Sequence, residues 1–366
     1  MKWQNLPGPS SFIKGVLEQI RDGMSVAVAT PLLVPSGLED AFVESLAYDR
    51  WNVRRVTVDP TEDPLRCLTE RLYLEPEQWV GWNVERLFGQ LSPGHVIVID
   101  GVTSSNWDTW RVFLRDFEVA SRQRASDERA LLLLFARGVQ RKRFQVTGGA
   151  LATCIWSGVF GELDTLIYVD QRLRASRNLA RHHKLIVRQI AALALWDLDL
   201  ADYLVNQPEG DIFDAEAVLR AGRIALRRAI EPMQANWEIG GVDSVDGVEI
   251  SHPFVLLDQA DPGGELRRRL WAAQAAELLP LIEMRRRELV KVLARHVSCP
   301  FWIDGGKRLV RSLDELEIGS LAYVTQTHSI PGNLRDRAEW LARCRNTLAH
   351  LGLLDGGDAM SSRLHG

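Results

Sequence analysis

The chain has 366 residues, of which 46% are hydrophobic and 25% are charged. This length is too great for one ordinary hydrophobic core and predicts two domains, and the composition excludes wholesale disorder. The formal net charge of −4 excludes a protein that is basic over its whole surface, although it averages over opposing patches.

The sequence favours a cytoplasmic protein without metal or disulfide sites. Residues 1–7 have no apolar segment behind a basic stretch, so we expect no secretory signal there. The longest apolar run, residues 130–136, is far too short for a membrane span. The four cysteines lie far apart and include no CxxC pair, so we expect buried thiols in a reducing compartment.

The N-terminal half alternates strand-like and helix-like segments. Unbroken apolar runs predict buried strands, and apolar residues at helical spacing predict helices between them. The predicted strands cover residues 25–30, 55–60, 95–100, 130–136 and 165–169, and the predicted helices cover 11–22, 37–48 and 107–121. This alternation indicates an α/β domain with a mostly parallel sheet, which we place at residues 1–174.

The C-terminal half reads as an all-α bundle with a small hairpin insert, placed at residues 175–354. Helices are predicted over residues 185–204, 215–230, 265–296, 313–323 and 334–353, and the hairpin over 299–311. The loop around Gly240, Gly241 and His252 has no assignable role. Residues 355–366 are polar and glycine-rich, which predicts a flexible tail.

The layout of the first half resembles a P-loop NTPase of the AAA or STAND kind. A strand ending in Asp100 matches a Walker B strand, whose acid holds Mg²⁺ through water. The phosphate loop should follow residue 30, yet residues 31–37 contain two prolines, one glycine (Gly37) and no lysine. A Walker A loop needs several glycines, a lysine and a metal-binding hydroxyl.

The resemblance therefore implies a degenerate domain in which only Gly37 and Asp100 remain from a nucleotide site. We predict no ATPase activity and no cofactor. Two alternatives stay open: an ordinary doubly wound domain without this ancestry, or weak phosphate binding at the start of the helix after Gly37.

A second resemblance lies near the C-terminus, in the stretch Arg345-Asn346-Thr347-Leu348-Ala349-His350. It resembles the RxxxxH signature of HEPN domains, helical bundles of bacterial toxins and defence proteins, many of which are metal-independent ribonucleases. The resemblance implies that Arg345 holds a phosphate, His350 acts as general acid or base, and Asn346 orients either of them. It also implies a homodimer and an RNA substrate.

The sequence thus predicts a bacterial defence or toxin-type ribonuclease regulated by a catalytically dead P-loop-like domain. The alternative is a non-catalytic adaptor or scaffold in a defence or nucleic-acid-processing complex, with a partner protein bound through the N-terminal domain. A third possibility is a DNA-associated regulator that uses the basic junction near Arg177, where Arg177-Asn178-Leu179-Ala180-Arg181-His182 has the same pattern as the C-terminal stretch. Since arginine is abundant, the bare Arg–His spacing is also expected by chance.

Overall fold

The computed structural model describes residues 2–74, 80–145, 148–176, 181–227, 234–258 and 262–365. The chain forms two compact units. The α/β unit comprises Met1–Tyr168, Leu195–Asp199 and Ala229–Asp258, and the helical unit comprises Val169–Ala194, Leu200–Arg228 and Gln259–Gly366. The domain boundary placed at residue 174 stays a prediction.

The secondary structure follows the order of elements along the chain. The strands are β1 (Ser25–Thr30), β2 (Asn52–Thr57), β3 (His95–Thr103), β4 (Leu131–Arg137), β5 (Leu151–Ile155), β6 (Val242–Val245), β7 (Val248–Ser251), β8 (Phe301–Ile303) and β9 (Arg308–Val310). The first helices are α1 (Pro7–Arg21), α2 (Leu38–Tyr48), α3 (Pro64–Arg71), α4 (Val84–Gln90), α5 (Trp107–Arg122), α6 (Glu162–Ser176), α7 (His183–Ala194) and α8 (Leu198–Val205). The later ones are α9 (Ala215–Ala225), α10 (Pro253–Leu256), α11 (Pro262–Leu293), α12 (Ile318–Thr327), α13 (Gly332–Ala349), α14 (Gly356–Ala359) and α15 (Ser362–His365).

The α/β unit is built on a five-stranded parallel sheet with the order β2-β3-β4-β1-β5. The central strands are buried on both faces, because helices cover the sheet on each side. One core contains Trp107 and Trp110 of α5, and the core on the other face contains Phe42 of α2 and Ile20 of α1. The predicted α/β fold class with a separate helical part is confirmed.

The fifth strand lies elsewhere than predicted. Residues 165–169 belong to α6, and the sheet is completed by β5 at Leu151–Ile155. The four apolar residues at 166–169 do not distinguish a buried strand from a buried helix. Asp164, in the first turn of α6, accepts hydrogen bonds from the backbone N–H groups of Gly161, just before α6, and of Gly8 in α1.

Several other segments differ from the predictions: β2 and α12 are displaced along the chain, and α3 and α4 were not predicted. Residues 185–204 form two helices, α7 and α8, because the chain turns at Leu195, whose φ is +53°. The unassigned loop forms the antiparallel hairpin β6–β7, with Val242 opposite Ser251.

The helical unit has its own core, which includes Leu289 of α11, Leu321 of α12 and Leu341 of α13. The predicted hairpin is present as β8–β9. Residues 355–366, expected to be a flexible tail, contain α14 and α15, with Ala359 and Leu364 fully buried in this core.

Among the described residues, no helix combines the length and the apolar character that crossing a bilayer requires.

Candidate functional site

The loop after β1, residues 31–37, lies where a P-loop protein would bind phosphate, and here it is held by other parts of the α/β unit. The backbone N–H of Leu32 donates to the carbonyl of Glu238 at 2.8 Å. The indole N–H of Trp3 donates to the carbonyl of Ser36 at 3.2 Å. Gly37 ends the loop with a φ of +75°, a left-handed conformation that favours glycine, and α2 begins at the next residue.

Residues 234–241, which we call the capping segment, pack directly on this loop. A Cβ atom at Gly240 would lie 2.4 Å from Cβ of Leu33, so the two backbones are in close contact. Trp237 is buried and donates its indole N–H to the carbonyl of Trp156, just after β5. The capping segment therefore packs on the loop after β1 at Leu32 and Leu33.

The first turn of α2 carries two carboxylates, and both are paired with arginines from neighbouring strands. Glu39, almost fully buried, pairs with Arg137 at the end of β4. Asp40 pairs with Arg55 of β2, whose guanidinium also lies 2.8 Å from Asp100 of β3. The hydrogen bond to Asp100 raises the pKa of Arg55.

These ion pairs disfavour a nucleotide at this edge of the sheet. A helix N-terminus attracts phosphate through its free N–H groups and its dipole, but here Glu39 and Asp40 already place negative charge there. Arg55 donates to Oδ2 of Asp100, the acid at the Walker B position of the resemblance. Within the described ranges, no three His, Cys, Asp or Glu residues cluster as a metal site would require.

Asp243 of β6 holds the hairpin β6–β7 to the segment that follows β5. Its Oδ1 accepts hydrogen bonds from the Ser157 hydroxyl at 2.6 Å and from the backbone N–H of Gly158 at 3.2 Å. Burial raises the pKa of Asp243. Arg141 donates to the same Ser157 hydroxyl and stacks over Trp237, with its guanidinium carbon 4.7 Å from the ring centre.

Three arginines at and after the end of β4 contact other side chains of the α/β unit. Arg137 pairs with Glu39, Arg141 contacts Ser157, and Arg143 pairs with Asp108 at 2.6 Å. These contacts agree with a structural role for the cluster rather than phosphate binding.

The predicted Arg-Asn-x-x-x-His site lies on α13 of the helical unit. Arg345 is half-buried and donates to Glu317 at 3.0 Å, with a weaker contact of 3.4 Å to Oδ1 of Asn346. His350 follows the last residue of α13 and is exposed, as is Asn346. The N–H of His350 donates to the carbonyl of Asn346 at 3.0 Å, which places the two residues one turn apart.

Arg345 also lines a cleft of about 350 Å³. The floor is apolar, and the charged lining consists of Arg345, Arg286, Glu283, Asp314, Glu315 and Glu317. Carboxylates outnumber cations in this lining, and neither Asn346 nor His350 belongs to it. The three predicted catalytic residues therefore do not converge on one basic cleft within a single chain.

The upstream copy of the pattern is only partly described. Arg177 and Asn178 lie outside the described residues. His182 at its end is half-buried and contacts Glu209 at 2.6 Å, so this histidine is engaged in a local contact.

Comparisons with known proteins give no family for this chain. No protein-family model matches it, and no curated protein matches its sequence. Among solved structures, the RuvB Holliday junction branch migration motor of Thermotoga maritima is 11% identical with a TM-score of 0.34, over 66% of this chain and 90% of that chain. A structure of Drosophila ORC bound to DNA is 17% identical with a TM-score of 0.33, over 97% of this chain and 89% of that chain. Scores of this size carry no argument about function.

The sheet itself defines the fold of the α/β unit. β4 lies between β1, which precedes the phosphate-loop position, and β3, which carries Asp100. This is the strand arrangement of AAA-type P-loop NTPases. The α/β unit is P-loop-NTPase-like in fold.

The sequence alone did not reveal which residues contact Glu39 and the loop after β1. The pairing of Glu39 with Arg137 joins positions 98 residues apart, and the capping segment lies some two hundred residues beyond the loop it covers. The lack of a lysine in residues 31–37 can be read from the sequence. The contacts that hold this loop and Glu39 join residues far apart in the chain, and no local sequence pattern predicts them.

Proposed function

We propose that this chain is a non-catalytic adaptor or scaffold, in which a P-loop-like unit has become a protein-binding or architectural domain. The observation that carries the proposal is that the loop after β1 and the acids beside it are held by internal contacts. The capping segment covers the loop after β1, and Arg55 and Arg137 neutralise the acids around it. A motor or switch that uses nucleotide needs this space open.

The first experiment measures nucleotide binding by thermal unfolding of the whole chain. A ligand present at 100 times its Kd stabilises the native state by about 2.7 kcal/mol, which raises the melting temperature by several degrees. We expect no shift with ATP, ADP or GTP at millimolar concentration, with or without Mg²⁺. A shift that Asp100→Asn abolishes would contradict the proposal.

A metal-independent ribonuclease of the HEPN type is the second candidate. It is favoured by the exposure of Asn346 and His350 on successive turns of α13, beside the Arg345–Asn346 contact. Such an enzyme would need a second chain to complete a basic cleft, so this candidate also requires a homodimer. RNA would be its substrate, and growth arrest on infection its effect.

Growth and total RNA of cells that express the wild type, His350→Ala or Arg345→Ala separate the two candidates. The matched controls are His296→Ala and Arg343→Ala, which change an exposed histidine and an exposed arginine elsewhere in the helical unit. The scaffold proposal expects intact RNA in all five strains. Fragmentation that only His350→Ala and Arg345→Ala prevent would establish the ribonuclease.

A further inference from the structure

Residues 291–311, which we call the basic ribbon, differ from the rest of the chain in charge. They comprise the end of α11 and the hairpin β8–β9. The chain as a whole has a net charge of −4, yet this stretch has one acid, Asp304, and five cations. The cations are Lys291, Arg295, Lys307, Arg308 and Arg311.

The cations of the basic ribbon are not neutralised, whereas the arginine clusters elsewhere on α11 are. Arg268 and Arg269 pair with Glu265. Arg286 and Arg287 pair with Glu283.

Among the described residues, none of the five ribbon cations forms an ion pair. Arg308 donates one hydrogen bond to the backbone carbonyl of Glu315 at 3.2 Å. A helix C-terminus explains Lys291 and Arg295 on structural grounds, since cations stabilise the helix dipole there. It does not explain the cations of the hairpin.

The hairpin also presents an aromatic ring to solvent. Ile303 and Val310 are buried in the core of the helical unit, so one face of the hairpin packs against that core. Trp302 lies on the opposite face, 61% exposed, across from Leu309. Because most of the Trp302 side chain is exposed, a ligand can reach its ring.

We propose that the basic ribbon binds single-stranded nucleic acid, with a base stacked on Trp302 and phosphates at Lys307 and Arg311. Unpaired bases stack on exposed aromatic rings with little sequence preference, and nearby cations follow the backbone phosphates. The turn residues Gly305 and Gly306 have open space where a Cβ would be, so a nucleic-acid backbone can approach closely. Single strands fit better than a duplex because stacking needs an unpaired base. This inference does not depend on the scaffold proposal.

The test measures fluorescence anisotropy of labelled 20-nucleotide oligo(U), oligo(dT) and a matched duplex against the whole chain. We expect both single strands to bind more tightly than the duplex, with affinity that falls as salt rises. Unequal binding of RNA and DNA would show whether a 2′-hydroxyl contributes. Since stacking contributes about 1–3 kcal/mol per base, Trp302→Ala should weaken binding by roughly 5- to 150-fold, and Trp302→Phe by less.

Two control variants distinguish binding at the basic ribbon from a general effect of lost charge or of a lost aromatic ring. Lys307→Gln/Arg311→Gln should weaken binding and reduce the salt dependence, whereas Arg268→Gln/Arg287→Gln removes the same charge from paired positions and should have little effect. Tyr48→Ala removes another exposed ring, in the α/β unit, and should leave binding unchanged. Circular dichroism confirms that each variant is folded.

Two outcomes would overturn the proposal. One is an absence of binding by the wild type at low salt and roughly 100 µM protein, the weak end of non-specific affinity. The other is equal binding by the wild type, Trp302→Ala and Lys307→Gln/Arg311→Gln.

Discussion

Glu39 and Asp40 are adjacent acids in the first turn of α2, yet their surroundings differ sharply. The Glu39 side chain is 6% exposed and its partner Arg137 is 35% exposed, whereas Asp40 is 61% exposed. Removal of one member of a buried pair leaves an uncompensated charge, while an exposed pair contributes little. The pair at Glu39 is therefore the stronger restraint at this edge of the sheet.

We expect Glu39→Ala to lower the free energy of unfolding by about 1–3 kcal/mol, below the range for fully buried pairs because Arg137 reaches solvent. Asp40→Ala should cost less than about 1 kcal/mol. Urea titrations of the two variants test this difference. Equal losses would mean that burial of Glu39 does not strengthen its pairing.

The four thiols should also differ in reactivity. Burial raises the pKa of Cys67 to about 12 and that of Cys344 to about 12. Burial also raises the pKa of Cys154, while Cys299 is exposed. Because the thiolate is the reactive form, a native-state titration with Ellman's reagent near pH 8 should show Cys299 reacting first. The rapid phase should vanish in Cys299→Ser, and its persistence would contradict the structure.

At the scale of elements, Asp243 determines how the β6–β7 hairpin is attached. Oδ1 accepts all three hydrogen bonds, from Ser157, Gly158 and Ser244. Asparagine retains that oxygen, so Asp243→Asn should change stability by less than about 1 kcal/mol at pH 7. Asp243→Ala leaves buried donors without an acceptor and should cost about 1–3 kcal/mol.

The same carboxyl predicts a pH dependence. Its pKa is raised in the folded state, so the folded protein holds this proton more tightly than the unfolded chain. The corresponding stabilisation is present below about pH 4 and is lost as pH rises through the folded-state pKa. The stability of the wild type relative to Asp243→Asn should therefore fall as the pH rises above about 4. A difference that stays constant, measured by urea titration at each pH, would contradict this.

The elements that could be predicted from sequence are those with a strong local pattern. β1 covers the same residues as its predicted strand, and the β8–β9 hairpin lies within the predicted hairpin at residues 299–311. β5 escaped prediction because a short edge strand with Thr153 and Cys154 has neither a continuous apolar run nor strict alternation. The hairpin β6–β7 escaped because its two strands have four residues each, below the length at which periodicity is informative.

At the scale of the whole molecule, the two units have separate hydrophobic cores. The chain passes between them several times, since each unit is assembled from three stretches. Proteins with more than one domain commonly depart from two-state unfolding. We expect a calorimetric enthalpy that exceeds the van't Hoff enthalpy in scanning calorimetry. Equal enthalpies would mean that the cores unfold as one cooperative system.

For the candidate site, the sequence shows which residues of a nucleotide-binding motif are missing, but it does not show the contacts around them. The sequence shows directly that residues 31–37 contain no lysine and that residue 100 is an aspartate. The contacts of Arg55, Arg137 and the capping segment depend on how the sheet orders its strands, and strand order cannot be obtained from local periodicity. Catalysis by Arg345, Asn346 and His350 stays a prediction.

The hydrogen bond from Leu32 to Glu238 has a consequence for attempts to engineer a nucleotide site into the loop after β1. A lysine and glycines grafted into residues 31–37 would supply the motif, but the loop would still be bonded at Leu32 and packed at Leu33 against the capping segment. A working phosphate loop would therefore require changes in a distant stretch of chain as well as substitutions in the loop itself.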